Sequence, residues 1–270
     1  MTAAECAAAI GAALGTSVIG RRLVVRERTG STMEDARGIA RGGASHGTVV
    51  LAFEQTAGRG RLGRTFVSPA GGLYMTLVLD PPGAPADAWR CGFAAAIAAR
   101  EAIVDVGGPP VLFDWPNDLV LGDRKLGGFL MDLLQPADRG APSAVLLLGI
   151  GINLGPDPAA VDAAAAGPAG PVPGLPPGDH RAAVAAGVLN RFEPLYARLA
   201  APEGWTQVLD EVRRFARAAA GSRVSVRAAD GRLVEGQGAG IREDGAILVR
   251  TDDGTVVTIR YGERIHRTNR

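Results

Sequence analysis

At 270 residues the chain is longer than one ordinary hydrophobic core requires, so one large domain with a small appendage is expected. A hydrophobic fraction of 47%, a charged fraction of 21% and a formal net charge of +1 describe a globular chain without the basic footprint that nucleic acid or an anionic membrane needs. Cys6 and Cys91 are the only cysteines, and neither stands in a Cys-x-x-Cys or Cys/His array, which excludes a disulfide scaffold and leaves no zinc or haem expected.

The first residues, MTAAECAAAIGAALG, are small and apolar but lack a basic start and carry Glu5, so they do not read as a signal peptide. No apolar run approaches the ~20 residues of a membrane span, and a cytoplasmic protein is expected. Residues 22–28 read as a strand, and a helix follows from Ser31, where Ser31 and Glu34 supply the two halves of a capping box. Residues 47–54 and 72–79 are β-rich runs on either side of a glycine- and arginine-rich loop. Residues 85–105 read as one long Ala-rich helix with Pro85 in its first turn and Cys91 buried. Short strands are expected at 111–114, 119–121 and 126–134, the last two joined by a two-residue turn at Gly122 and Asp123. Residues 143–154 are apolar in succession, as in a central strand buried on both faces, and Gly149 and Gly151 mark a close approach of ligand to backbone. Residues 155–178 are almost entirely Gly, Pro and Ala and are expected to form a mobile surface loop. Two helices, at about 179–200 and 203–217, lead to a tail from Gly221 that alternates apolar and polar residues. Its turns at Asp230-Gly231, Asp244-Gly245 and Asp253-Gly254 give the pattern of a small antiparallel barrel.

Residues 54–64, EQTAGRGRLGR, carry the chemistry most plainly. Gly58, Gly60 and Gly63 spell a G-x-G-x-x-G fingerprint, but RTFVSPAGG stands where its helix should begin, and no Gly-Lys-Ser/Thr follows for a P-loop. Arg59, Arg61 and Arg64 on glycine hinges fit a loop that closes over a phosphate-bearing ligand, and a merely solvated basic loop is the alternative. Of the 29 basic residues only Lys125 is lysine. Codon bias accounts for the missing lysines but not for the one retained, and a guanidinium cannot replace a compact ammonium at a tight site. Just before it, in Trp115-Pro-Asn-Asp118, Asn117 and Asp118 suit a nucleotide base, a magnesium ion or an incoming amine, or else form an Asx turn.

Together, STME, EQTAGRGRLGR, WPND, RKLGG and GIGIN, in this order and spacing, resemble the biotin protein ligases from about Gly20 onward. The resemblance implies an α/β (α+β) fold, with a mixed-sheet, class II synthetase-like catalytic domain over residues 1–218 and an SH3-like barrel over 219–270. It implies activation of biotin by ATP and magnesium to biotinyl-5′-AMP, then transfer to a lysine of a biotin carboxyl carrier domain. On that pattern Ser31, Thr32, Gln55, Gly58, Arg59, Lys125, Gly128, Gly149 and Gly151 bind biotin. Arg61, Arg64, Phe66, Trp115, Asn117 and Asn153 bind the nucleotide, and Asn153 also meets magnesium. Lys125, Arg59, Arg61 and Asp118 carry the chemistry, with Asp118 facing the acceptor amine.

The chain departs from the family pattern at Met33, where Asn is usual, at Asp114, where a basic residue is usual, and at Asp132, where Glu is common. About 20 residues precede the resemblance, so the form without a DNA-binding domain is expected. No operator DNA or membrane partner is expected, whereas sheet edges and the barrel offer surfaces for a homodimer. A lipoate ligase and a non-catalytic biotin or nucleotide sensor are the alternatives. Met33 and Asp114 favour the sensor, and the missing glycine-rich lipoyl motif weighs against the lipoate enzyme.

Overall fold

The computed structural model describes residues 1–43, 46–135, 144–155, 169–260 and 262–264. The apolar run after position 143 forms β7 (Val145–Ile152), in which every residue but Gly151 is buried. It is flanked on both sides, by β3 (Leu73–Leu79) and by β6 (Arg124–Leu134), and so has no solvent face. Around this centre a seven-stranded sheet runs in the order β1-β2-β3-β7-β6-β5-β4. The remaining strands are β1 (Leu23–Arg26), β2 (Thr48–Ala52), β4 (Leu112–Asp114) and β5 (Asp118–Leu121). Only the β1–β2 pairing is parallel, which makes the sheet mixed.

Helices cover both faces. On one, α2 (Thr32–Arg41) lays Met33, Ala36 and Ala40 against Val50, Val78 and Leu147. On the other, α3 (Arg90–Asp105), α4 (Arg181–Leu199) and α5 (Gly204–Arg213) build the larger core. The alanines of α3 permit a close crossing: a Cβ added at Gly187 of α4 would stand 3.1 Å from that of Ala102. Ahead of β1, α1 (Ala3–Ala13) starts with a capping box, Glu5 N–H donating to Thr2 Oγ1 at 3.2 Å and Thr2 N–H to Glu5 Oε2 at 2.8 Å. Cys91 is buried as expected, and desolvation pushes its thiol up to about 12, so it is an inert core group.

The single helix expected over 85–105 is divided. Ala88, Cys91 and Gly92 N–H groups reach back three residues, to Pro85, Ala88 and Trp89 carbonyls, so the entry is wound as a 3-10 turn over Pro85–Asp87 before α3 begins. Trp89, at this junction, packs edge-on against Phe93 and Trp205.

The tail forms a five-stranded antiparallel sheet ordered β11-β10-β9-β8-β12. Its strands are β8 (Arg223–Ala228), β9 (Leu233–Ile241), β10 (Ile247–Arg250), β11 (Val256–Ile259) and β12 (Gly262–Arg264). The turn glycines Gly231, Gly245 and Gly254 have φ of 84°, 76° and 86°, as the Asp-Gly pattern requires. The expected barrel is an open sheet among the described residues, because β11 and β12 are short edges that do not pair with each other. All three tryptophans meet the turn between β9 and β10. Trp115 Nε1 donates to the Gly245 carbonyl at 2.9 Å and Trp205 Nε1 to that of Glu243 at 2.6 Å. A Cβ on Gly245 would fall 2.4 Å from the Trp89 ring.

Candidate active site

The 54–64 segment connects β2 to β3 as a tight hairpin at one end of the sheet. Gln55 N–H donates to Ser68 O at 2.9 Å, Phe66 N–H to Gly58 O at 2.9 Å and Gly60 N–H to Arg64 O at 2.7 Å. At its tip Arg61–Gly63 makes one 3-10 turn, with exposed Leu62 at φ 56°. No α-helix starts on Gly63, so the dinucleotide use is excluded, as the flanking sequence requires. Arg59 Nη1 reaches Glu34 Oε1 at 2.7 Å, Arg61 Nη1 donates to Asn117 Oδ1 at 3.2 Å, and Arg64 is exposed.

Beneath the loop the sheet lacks side chains. Gly151 of β7 pairs in register with Gly128 of β6, and Gly149 lies two residues away on the same face. A Cβ at Gly151 would strike the Phe66 ring at 2.6 Å, and one at Gly149 would stand 3.0 Å from Met33 Sδ. Met33, the departure from Asn, is therefore a packing residue over the glycine floor.

A chain of hydroxyls and one amide rims this floor. Thr76 Oγ1 donates to Thr32 Oγ1 at 2.9 Å, and Thr32 donates from both Oγ1 (3.0 Å) and N (2.8 Å) to Gln55 Oε1. Gln55 Nε2 donates to Ser68 Oγ at 2.8 Å, and Ser68 Oγ to Phe66 O at 2.9 Å. Ser31 begins α2 but makes no capping bond, contrary to the expected capping box. The Glu34 carboxylate instead pairs with Arg59 and Arg37, and Arg37 is itself bonded to Asp132. Ser31 Oγ is left buried, at 3% exposure, without a hydrogen-bond partner among the described residues. A buried hydroxyl of this kind is free to bond a ligand or water.

Opposite the rim, Lys125 Nζ lies 2.7 Å from Asp118 Oδ1 and 5.9 Å from the Phe66 ring centroid. A Cβ on Gly128 would stand 3.0 Å from Asp118 Oδ1 and 3.4 Å from Lys125 Cε, so the missing side chain makes room for this pair. Asn117 accepts from Arg61 and donates Nδ2 to Phe129 O at 2.8 Å, tying the loop to β6. Asn153 Oδ1 is likewise buried without a partner among the described residues, while Asn153 O accepts from Val172 N–H at 2.6 Å. Beside it a cavity of about 530 Å³ opens between Leu154, Val172, Leu175 and the Asp179–Arg181 pair.

Two expectations are displaced. Trp115, expected at the nucleotide, is 3% exposed and gives its N–H to the C-terminal sheet, so it braces the Asn117–Asp118 turn from behind. Of the loop expected over 155–178, residues 156–168 lie outside the described residues. Ala169 and Val172 are buried and laid along Lys125 and Asn153, because backbone bonds there do not depend on large side chains. Asp114 is buried in register with Asp118, so it does not face solvent.

Ser31, Thr32, Gln55, Gly58, Arg59, Arg61, Asn117, Asp118, Lys125, Gly128, Gly149, Gly151 and Asn153 all fall within residues 25–153, which match the sequence model of the biotin/lipoate A/B protein ligase family. The chain is 41% identical over 145 residues to the biotin--[acetyl-CoA-carboxylase] ligase of Paracoccus denitrificans, covering 52% of this chain and 59% of that protein. It is 34% identical over 146 residues to the bifunctional ligase/repressor BirA of Bacillus subtilis (strain 168), covering 54% and 44%. The chain thus spans about half the length of the curated relatives it matches. In fold it resembles the biotin protein ligase from Aquifex aeolicus in complex with biotin and ATP, at a TM-score of 0.73 and 24% identity over 91% of this chain and 98% of that one.

The matched segment holds the whole glycine floor and rim. Sequence reasoning passed over Ser68 and Thr76 in the rim. Thr76 carried a usable signal, a small polar residue buried in a strand of large apolar and aromatic ones.

Proposed function

We propose that the chain is an ATP-dependent biotin protein ligase. In the first step the biotin carboxylate attacks the α-phosphorus of ATP, the bond to the β-phosphate oxygen breaks, and pyrophosphate leaves biotinyl-5′-AMP behind. In the second, the amine of an acceptor lysine attacks the acyl carbon, AMP departs on its phosphate oxygen, and the amine gives up a proton. The observation that carries this reading is the pairing of a buried polar rim with one ammonium under an arginine loop. A neutral, hydrogen-bonding ring head fits the Ser31–Thr32–Gln55 end, and two reacting anions fit the Lys125, Arg59 and Arg61 end.

Ser31 Oγ, unpartnered and buried, would bond the ureido head, with Thr32 and Gln55 held beside it by their own hydrogen bonds. A dithiolane head would leave these groups unmatched, which disfavours a lipoate substrate. Gly128, Gly149 and Gly151 would let the bicyclic ring lie on the backbone. Arg61, Arg64, Phe66 and Asn117 would face the nucleotide, and Asp118 would hold the acceptor amine. Asn153 Oδ1 suits a magnesium ion, which commonly takes one or two protein oxygens and completes its shell with phosphates and water. When bound, magnesium would neutralise phosphate charge. Among the described residues no cluster of three His, Cys, Asp or Glu could hold a metal, in keeping with an ion brought by ATP. The loop would also exclude water from the mixed anhydride.

The division into residues 1–218 and 219–270 and an SH3-like closure of the tail belong to the same proposal. In support, β11 ends at Ile259 and β12 begins at Gly262, yet they lie on opposite edges of their sheet, so the edges stand within roughly 11 Å and the sheet is strongly curled. The acceptor we propose is a biotin carboxyl carrier domain, and we place the reaction in the cytoplasm. Among the described residues no helix is long and apolar enough to cross a membrane. Incubation with a carrier domain, biotin, ATP and magnesium is expected to label the carrier lysine for streptavidin detection. No label with any biotin carrier domain, at concentrations where related ligases work, would contradict the reading.

Ser31→Ala is expected to weaken biotin binding about ten-fold while leaving the melting temperature level or slightly raised, since it removes a buried hydroxyl that has no protein partner. Calorimetric titration and thermal melting give both values. A lowered melting point with unchanged affinity would assign Ser31 to the fold instead.

A further inference from the structure

Arg217 lies outside the residues matched to the family and touches none of the groups placed at the ligand, yet its side chain is only 15% exposed and is aimed at the hairpin that carries Lys125. Nη1 donates to the Gly122 carbonyl and Nη2 to Asp123 Oδ1, each at 2.5 Å. Gly122 and Asp123 are the whole turn between β5 and β6, and Lys125 follows two positions later.

That hairpin has a weak register of its own. A shift between Leu119 and Val120 interrupts the β5–β6 ladder, so only Val120↔Lys125 and Leu121↔Arg124 pair between the irregularity and the turn. A slip of one residue would carry the Lys125 side chain to the other face of the sheet, away from Asp118 and Phe66. Beyond β5 lies only the three-residue edge strand β4. On its other flank, the Lys125 carbonyl accepts from Gly170 N–H at 3.1 Å, which restrains β6 but not the turn. The segment that supplies Arg217 also fixes β4, Phe113 N–H donating to Phe215 O at 3.0 Å.

We propose that Arg217 is a positioning residue for Lys125. By clamping the Gly122-Asp123 turn it sets the β5–β6 register and holds the ammonium at Asp118. It thereby couples the C-terminal sheet, which begins at Arg223, to the reacting centre. The kinetic consequence rests on the ligase reading; the positional one concerns the unliganded chain alone.

Because Lys125 is the only lysine, protein grown with ε-carbon-labelled lysine gives a single lysine side-chain resonance. In unliganded Arg217→Ala that resonance is expected to move or broaden. Asp123→Ala, a change on the exposed side of the turn, is expected to move it the same way by less. Biotin-dependent pyrophosphate release by Arg217→Ala should show kcat lowered about ten-fold with the biotin KM within about two-fold, the signature of a misplaced group. A resonance at its wild-type position in both variants, or a loss of kcat without any resonance change, overturns the proposal. Should the wild-type chain release no pyrophosphate, the ligase reading fails, while the resonance still decides the clamp.

Discussion

Lys125→Ala is expected to lower the rate of biotin adenylation about 10²- to 10³-fold while weakening the binding of preformed biotinyl-AMP by about ten-fold or less. The asymmetry follows from when the ammonium matters. Joining a carboxylate to a phosphate concentrates charge at phosphorus only in the transition state, and Lys125, held 2.7 Å from Asp118 beside the Phe66 ring, is the compact cation that the proposed reaction would use there. Lys125→Arg should not restore the rate. A planar fork on a longer side chain does not reproduce a compact point charge held 2.7 Å from Asp118. Single-turnover pyrophosphate release measures the first quantity, and titration with a stable biotinyl-AMP analogue the second. Normal adenylation by Lys125→Ala would remove the reason for its being the one lysine in the chain.

Gly58→Ala is expected to weaken biotin binding by about 30- to 100-fold, about 2–3 kcal/mol, although the new methyl touches no ligand. The added Cβ would stand 2.3 Å from Phe66 O, 2.6 Å from Ser68 Oγ and 3.1 Å from Gln55 Nε2. The nearest of these is backbone, so the hairpin must open at its base. That breaks the Phe66 N–H to Gly58 O bond and frees Ser68 from Gln55, whose carbonyl holds Thr32. The seven-stranded core lies below this hairpin, so the melting temperature should fall by only a few degrees. Titration with biotin beside a thermal melt separates the two effects, and wild-type affinity in the variant would show that the rim tolerates an open loop.

Much of this was legible in the sequence because it depends on local pattern. Successive apolar residues make β7 central, Asp-Gly pairs locate the tail turns, and the flanking RTFVSPAGG, which opens no helix after Gly63, removes the dinucleotide reading. What was not legible depends on partners distant in the chain. Glu34 has the spacing of a capping box, yet its carboxylate pairs with Arg59 from the loop, a contact that no local rule contains. Trp115 sits in the motif nearest the nucleotide but spends its N–H on Gly245, 130 residues away. Met33 departs from the family's Asn and serves as a cover for Gly149, a pairing set by how α2 lies on the sheet. Arg217 carried no motif signal, since a clamp on a carbonyl needs only a long donor in the right place.

The measurement that bears most directly on the central claim is pyrophosphate release from ATP and magnesium, with biotin, lipoate or neither present. Release that depends on biotin and not on lipoate is the predicted result, whereas lipoate-dependent release, or none with either acid, would contradict it.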